Sequence, residues 1–351
     1  MNNANTTNTA FNYNGKRYYS LNEYCKNTFG EKVYRLSLNG GMTCPNRDGS
    51  LGVGGCTFCS EGGSGDFAAN YNVSIAALIA DAKERIRQKT DCQKFIAYFQ
   101  AYTNTYGPIE HLRRIFTEAI AEPEVVALSI GTRCDCLSDE VLDLLEELNK
   151  IKPVWVELGL QTIHNSTHAL LNTHTTVEQF DDAVVALSAR GISVIAHVIL
   201  GLPGETKEMM LETVRHVAKL SSSQAKNNPL SPRNEIERNS NILSCINSLT
   251  PHFGIKLQLL HVLKGTALAS LYETTPFQLF ELEEYCDFII DCLEILPPEM
   301  VVHRLSGDGP RKLLIAPLWS TDKKRVLNTI SKRLKERDTW QGRLFPYVSC
   351  I

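Results

Sequence analysis

The sequence predicts an α/β fold, a partial (β/α)6 TIM-like barrel followed by a basic C-terminal extension. Apolar β-forming runs and helix-periodic runs alternate six times along the chain, the signature of a parallel sheet wrapped by helices. A cysteine-bearing, glycine-rich loop directly follows the first strand, which places it at the C-terminal ends of the strands, where barrels of this kind keep their sites. The 351 residues hold one barrel of about 250 residues with extensions.

Taken in order, residues 1–15 are Asn- and Thr-rich, with neither an apolar run nor a basic start. They read as a disordered tail without a signal or anchor. A short amphipathic piece at 21–29 precedes the first strand at 33–39, and 72–89 carries Ile75, Leu78, Ile79, Ala82 and Ile86 at helical spacing. Strand 94–100 leads to a helix at 108–121 that opens on Pro108, and strand 125–130 leads to a helix at 138–150 with a polar start. Strand 154–160 precedes helix 177–190, which Gly191 ends, and strand 192–200 precedes helix 205–220. Strand 255–263 and helix 277–296, stopped by Pro297 and Pro298, complete the sixth unit. Residues 221–250 are polar and turn-rich and break the rhythm. They read as a mobile insertion, with a short helix at 242–249. The division expected is a tail at 1–15, a barrel at 16–298 and an extension at 299–351 that begins with one more strand at 300–305.

The loop itself holds Cys44, Cys56 and Cys59, with eleven residues in the first gap and two in the second. Cys-x-x-Cys brings two thiolates to one centre, and glycines at 40, 41, 49, 52, 54 and 55 let the backbone swing a third toward it. A metal or iron–sulfur site follows. Three thiolates are one short of a closed structural zinc site, so one position stays open, with Phe58 offering an apolar face beside it. Polar residues recur where the later strands finish: Gln100 to Thr103 after the second, Ser129, Thr132 and Arg133 after the third. Glu157 and Gln161 lie on the fourth, and His197, Gly201 and Pro203 along and after the fifth. Together they describe a polar ring around one cavity, with Glu157 and His197 the candidate catalytic groups. Glu157 has a second reading as the buried ion-pair partner of Arg133, and His197 as a core histidine. Cys134 and Cys136, flanking Asp135, read as core or loop thiols, with a second metal site as the alternative.

Composition narrows the class. Hydrophobic content of 43% with 21% charged residues is that of a globular protein, and no apolar stretch approaches the ~20 residues of a membrane span. Eleven cysteines without a signal-like start predict a reducing, cytoplasmic setting and not a disulfide scaffold. The net charge of −3 hides an uneven distribution. Between 311 and 343 stand Arg311, Lys312, Lys323, Lys324, Arg325, Lys332, Arg333, Lys335, Arg337 and Arg343 against Asp322, Glu336 and Asp338. Such a local excess reads as a polyanion surface or as a solvated helix face, with Trp319 and Trp340 placed either to stack on bases or to anchor the extension.

The cysteine loop resembles that of the radical S-adenosylmethionine (SAM) superfamily, and its eleven-residue first gap resembles the branch of the Elongator catalytic subunit and the YhcC/YtqA-type proteins. Further matching segments are Arg17-Tyr18-Tyr19, Gln100 to Tyr106, His197 to Glu205, Leu259 to Thr266, His303 to Asp308 and Gln341-Gly342. The resemblance implies that Cys44, Cys56 and Cys59 hold a four-iron, four-sulfur cluster whose fourth iron SAM chelates. Reductive cleavage of SAM to a 5′-deoxyadenosyl radical would draw an electron from an external flavodoxin- or ferredoxin-type donor. It also implies SAM contacts: residues near Gln100 and Thr103 for the methionine amino group, Ser129, Thr132 and Arg133 for the ribose or carboxylate, and Gly201 and Pro203 for the adenine. Two departures stand out. The Gly-Gly-Glu often found after the second strand is absent, and His197 replaces the first glycine of the Gly-x-Ile-x-Gly pattern. For substrate, the resemblance implies tRNA and conversion of a carboxymethylaminomethyl group at C5 of the wobble uridine to aminomethyl. The alternatives are radical SAM chemistry on a small molecule and a non-catalytic, zinc-stabilised RNA-binding protein.

Overall fold

The computed structural model describes residues 13–63, 65, 74–227, 251–307 and 309–346. The tail at 1–12, the stretch 228–250 with its expected helix at 242–249, Cys245, Asp308 and Cys350 lie outside the described residues. Seven strands pair in one parallel sheet in chain order: β1 (Tyr34–Leu38), β2 (Phe95–Phe99), β3 (Val125–Thr132), β4 (Val154–Gln161), β5 (Ser193–Leu200), β6 (Phe253–Leu259) and β8 (Val301–Arg304). Between the last two, β7 (Val262–Leu263) leaves to pair antiparallel with β9 (Leu314–Ala316). The residues grouped by sequence with the extension at 300–305 thus supply the seventh strand, and the single strand expected at 255–263 is two strands in different sheets.

Parallel strands covered on both sides are buried on both faces, but the two faces here differ. On β4, Val154, Val156, Leu158 and Leu160 point outward into the main core, where they meet the helices. Trp155 points inward to a smaller core with Ile96, Ala127, Ile195 and Val301, and Tyr24 and Cys25 of α1 (Leu21–Phe29) close it from below. The sheet curls until inward side chains of its two edge strands touch: an Arg35 Nη of β1 lies 2.9 Å from His303 Nδ1 of β8. A half-barrel with an apolar plug at one end results.

Helices α2 (Ile75–Arg87), α3 (Ile109–Ala121), α4 (Asp139–Asn149), α6 (Val177–Ala189), α7 (Lys207–Asn227) and α9 (Leu282–Glu294) connect these strands. Helix α7 passes the expected end at 220 because Ser221, Ser222 and Ser223 donate to carbonyls three or four residues back instead of breaking the turn. Two short helices, α5 (Asn165–Leu171) and α8 (Ala267–Thr274), had no clear periodicity in sequence. A further helix, α10 (Lys323–Glu336), buries Val326, Ile330 and Leu334 and ties itself to α9 through ion pairs of Arg333 with Glu283 and Asp287 and of Arg337 with Asp287 (3.0 Å) and Asp291 (2.7 Å).

The first and last described segments meet beneath the barrel. Fully buried Gln341 donates through Nε2 to the carbonyls of Pro297 (2.6 Å) and Met300 (2.8 Å), and its Oε1 accepts from the backbone of Tyr19 (2.9 Å). The Arg17-Tyr18-Tyr19 and Gln341-Gly342 segments are therefore one structural bolt. Tyr13, inside the expected tail, also donates to Pro298 O at 2.5 Å.

Candidate active site

One cavity of about 260 Å³ opens at the C-terminal ends of the strands, and Cys44, Cys56 and Cys59 all line it. Their loop is tied down by backbone, not by a core of its own. Arg47 N donates to Cys44 O (2.8 Å) and Cys59 N to Cys56 O (3.0 Å). The stretch between is pinned to α5 and α8: Thr57 N bonds Leu171 O (2.9 Å) and Thr57 O receives Leu268 N (2.8 Å). The two helices missed by sequence are thus the clamp on the cysteine loop. Arg47 spans the loop by donating to the carbonyls of Cys59 (3.0 Å) and Ser60 (2.6 Å). Buried Asn46 donates through Nδ2 to Cys56 Sγ (3.5 Å) and to Asn172 O (2.5 Å). Gly52 is required opposite it, because a Cβ there would lie 2.6 Å from Asn46 Oδ1. The rest of the eleven-residue gap is a small exposed excursion with Val53 at its edge, 77% exposed.

The rim continues with Phe58, Gln100, Thr103, Thr132, Arg133 and Gln161. Arg133 bonds Asp135 through two nitrogens (2.9 and 2.7 Å) and Thr173 O through a third (2.8 Å). Burial disfavours its charge, but Asp135 more than offsets this and raises the guanidinium above its ordinary value. Gly131 and Gly159 stand at inward positions on β3 and β4, and the Gln161 amide lies over Gly159, where a Cβ would meet its Nε2 at 2.5 Å. Ser129, Gly201 and Pro203 are not among the lining residues. Ser129 sits beneath, and Gly201 ends β5 with its N–H directed at Met210 Sδ (3.0 Å). Cys134 and Cys136 also lie off the cavity wall.

The expected Glu157–Arg133 pair does not form. Arg133 turns to Asp135, one strand end higher, and Glu157 belongs to a lower layer of inward residues that the sequence did not reveal. Its Oε1 accepts from Ser129 (2.8 Å) and lies 3.5 Å from an Arg35 Nη, while Oε2 accepts from His197 Nε2 (2.9 Å) and from Lys256. Lys256, 1% exposed, also donates to Tyr98 Oη at 3.1 Å. Burial pushes the Glu157 carboxyl up, but Lys256 and Arg35 outweigh it and hold the group well below the usual carboxylate range. Burial also pulls Lys256 well below its own ordinary value, and Glu157 opposes that pull; the direct contact with an ionised carboxylate is what keeps the third proton on Nζ. Burial, reinforced by Lys256, pulls His197 down to about 4. A neutral imidazole donating Nε2–H to an ionised carboxylate leaves Nδ1 as acceptor, and Gln258 Nε2 stands 3.4 Å from it. Gln258 Oε1 in turn faces an Arg304 Nη at 3.5 Å. Tyr98, Glu157, His197, Lys256, Gln258 and Arg304 together floor the cavity.

Three cysteines on one wall, with no fourth among the lining residues, form a donor set that suits a cluster with one open iron. Among the described residues no group of three or more His, Cys, Asp or Glu side chains is already gathered to hold a single metal ion. Burial pushes the Cys56 thiol up to about 12, and the neighbouring Cys59 adds to this. Ligation, which takes the thiolate, must overcome that shift.

Sequence comparison agrees with this geometry. Residues 44–217 match the family model of the radical SAM superfamily, and residues 253–336 match the model of the Radical_SAM C-terminal domain. The chain belongs to the radical SAM superfamily and is an enzyme of that class, carrying a four-iron, four-sulfur cluster and SAM. Within it the chain belongs to the family of YtqA from Bacillus subtilis (strain 168), to which it is 43% identical over 330 residues, 94% of this chain and 93% of that one. YhcC of Escherichia coli (strain K12) is 33% identical over 309 residues, 88% of this chain and 89% of that protein. A tRNA uridine(34) acetyltransferase of Methanocaldococcus jannaschii is 24% identical over 195 residues, 56% of this chain and 30% of its own. The solved structure of Methanocaldococcus infernus Elp3, with an N-terminal deletion, shares the fold at TM-score 0.60 and 17% identity, over 88% of this chain and 64% of that one. No helix among the described residues is long and apolar enough to cross a membrane.

Proposed function

We propose that this radical SAM enzyme acts on tRNA, at the C5 side chain of the wobble uridine, in a conversion of the carboxymethylaminomethyl to aminomethyl type. The observation that carries this reading is the likeness over 195 residues to a protein whose name specifies uridine 34 of tRNA. When bound, the cluster and SAM supply one-electron cleavage of SAM to methionine and a 5′-deoxyadenosyl radical, for which a flavodoxin- or ferredoxin-type protein gives the electron. Cys44, Cys56 and Cys59 are assigned to the cluster. Phe58, Gln100, Thr103, Thr132, Arg133 and Gln161 are assigned to SAM, with Arg133 held in one orientation by Asp135 and Thr173. The floor is left for the substrate.

The tRNA body is assigned to the C-terminal basic face, where Arg311, Lys312, Lys323, Lys324, Arg325 and Lys332 are exposed. Arg333, also expected there, is half-buried and committed to Glu283 and Asp287, so it serves the α9–α10 contact. Trp319 likewise anchors, donating to Phe280 O at 3.0 Å and packing on Tyr285. Mass spectrometry of tRNA nucleosides from a deletion strain tests the reaction: the carboxymethylaminomethyl form should accumulate and the aminomethyl form disappear. An unchanged profile refutes it. Binding of tRNA to the reconstituted enzyme should weaken steeply with salt, where a small-molecule enzyme would show salt-insensitive substrate binding.

A further inference from the structure

The cavity floor holds charge that the superfamily's radical chemistry does not itself call for. A lysine that is 1% exposed sits in a barrel interior, where an unpaired ammonium is costly, yet it lines the cavity. Its partner Glu157 is already saturated: Ser129 and Arg35 approach one oxygen, His197 and Lys256 the other. Two cations, Lys256 and Arg35, therefore share one carboxylate. An ammonium carries three N–H donors, and Lys256 spends two, on Glu157 and on Tyr98 Oη. A carboxylate that accepts three hydrogen bonds and has a guanidinium 3.5 Å away is a poor base. What it does instead is fix the lysine and the His197 ring in place. The order continues through Gln258, whose amide is set by His197 on one side and Arg304 on the other.

We propose that Lys256 is the specificity-determining residue of the cavity, and that its third N–H, with Gln258 beside it, receives a carboxylate carried by the substrate. This rests on the tRNA reading above, in which the reacting side chain ends in such a group. The carboxylate supplies the anion that the two cations lack, and Gln258 becomes its neutral second donor. Glu157, Ser129 and Tyr98 act as positioning residues, because they hold the ammonium where the substrate's end arrives and remove the cost of ordering it on binding. SAM would lie above, against the cysteines and the rim.

The test uses the full chain with cluster and SAM loaded. Two stem–loop RNAs are compared under anaerobic conditions, identical except that the wobble uridine carries carboxymethylaminomethyl in one and aminomethyl in the other. N-benzylglycine and N-methylbenzylamine serve as small probes with and without the carboxylate, measured by calorimetry. The wild type should prefer the carboxylate member of each pair by about ten- to a hundredfold, as for a hydrogen bond to a charged group. The preference should collapse to near unity in the Lys256→Met, Glu157→Gln double variant, which removes both charges together, and should be largely kept in Lys256→Arg. Equal binding of both members by the wild type overturns the proposal without needing any variant to fold, as does failure to bind either N-benzylglycine or RNA. Lysine-dependent binding of N-benzylglycine with no binding of either RNA leaves the carboxylate subsite standing and refutes the tRNA reading. A rise in the KM for SAM that matches the loss of preference would assign Lys256 to the SAM carboxylate and overturn the proposal.

Discussion

The rim of the cavity is made from loops, and its floor from strand side chains. At the rim, the loop that carries Cys44, Cys56 and Cys59 is positioned by backbone hydrogen bonds to α5 and α8, and all three cysteines line the cavity. On the floor, Ser129, His197 and Lys256 donate to Glu157 with Arg35 3.5 Å from it, and Glu157, Lys256 and Ser129 are buried in the sheet while Arg35 and His197 are half-buried. The contrast is between a holder that must open to accept a cofactor and a preset arrangement of charge that must not move when substrate arrives. Losing a rim thiol should cost the cofactor with little effect on the fold. Losing a floor charge should cost the fold or the substrate and leave the thiols alone.

The largest expected effect tests the rim. Cys56→Ala should abolish the brown colour and SAM cleavage of anaerobically purified protein, and Cys92→Ala, a buried thiol at the outer core, should retain both. Iron and sulfide analysis with visible spectra checks this. Equal iron in both variants would break the contrast at its first point. A thermal midpoint that falls more for Cys56→Ala than for Cys92→Ala, both as apoprotein, would show the rim thiol to be structural.

Acid tests the floor. Burial holds His252 down to about 3 and, with Lys256, holds His197 at about 4, and His303, stacked on His252 beside Arg35, is well below its ordinary value. The unfolded chain binds protons at these imidazoles near pH 6.5 and the folded protein does not, so stability falls as pH falls below 6.5. Each imidazole contributes about 1.4 kcal/mol per pH unit down to its folded value. The Glu157 carboxyl is held low, so its contribution is present at neutral pH and is lost only in more acidic solution, as pH falls from the ordinary carboxylate range through the folded value. Urea unfolding between pH 6.5 and 4.5 should therefore show a slope of at least ~2 kcal/mol per pH unit, and His252→Asn should flatten it by about one proton. A flat wild-type profile would mean that water reaches the floor and that the two regions do not differ in this respect.

How far each region could be read from sequence follows from the same difference. Cys-x-x-Cys with a glycine-rich approach announces itself, and so does the β/α alternation that puts it at the strand ends. The floor gave two of its members, Glu157 and His197, because an acid and a histidine inside apolar runs are conspicuous. Lys256 and Gln258 alternate with Ile255, Leu257 and Leu259, a pattern that ordinarily marks a strand with one wet face. Here the polar face is the barrel interior, which only closure of the sheet reveals. Arg35 gave no sign of reaching His303, because that contact joins the two edges of the sheet. Arg333 misled in the opposite sense: its basic neighbours suggested RNA, and the acidic face of α9 that engages it lies 46 and 50 residues away in sequence.

The smallest expected effect lies where a rim ligand meets a buried side chain. Asn46 is fully buried, yet its Oδ1 has no hydrogen-bond partner among the described residues, and its Nδ2 is shared between Asn172 O and Cys56 Sγ. An N–H directed at a ligating sulfur favours the more negative, reduced cluster, so removing it should make reduction harder. A bond worth about 1 kcal/mol more to the reduced state corresponds to roughly 40 mV for one electron. Asn46→Leu should therefore lower the cluster potential by about that amount, read by EPR-monitored titration, while iron content stays near that of the wild type. A simple loosening of the loop would instead lower iron occupancy and leave the potential of the remaining clusters unchanged. The first outcome would make Asn46 a point at which the cluster side of the rim is preset, as Arg133 is by Asp135 and Thr173; the second would leave the cysteine loop purely a holder.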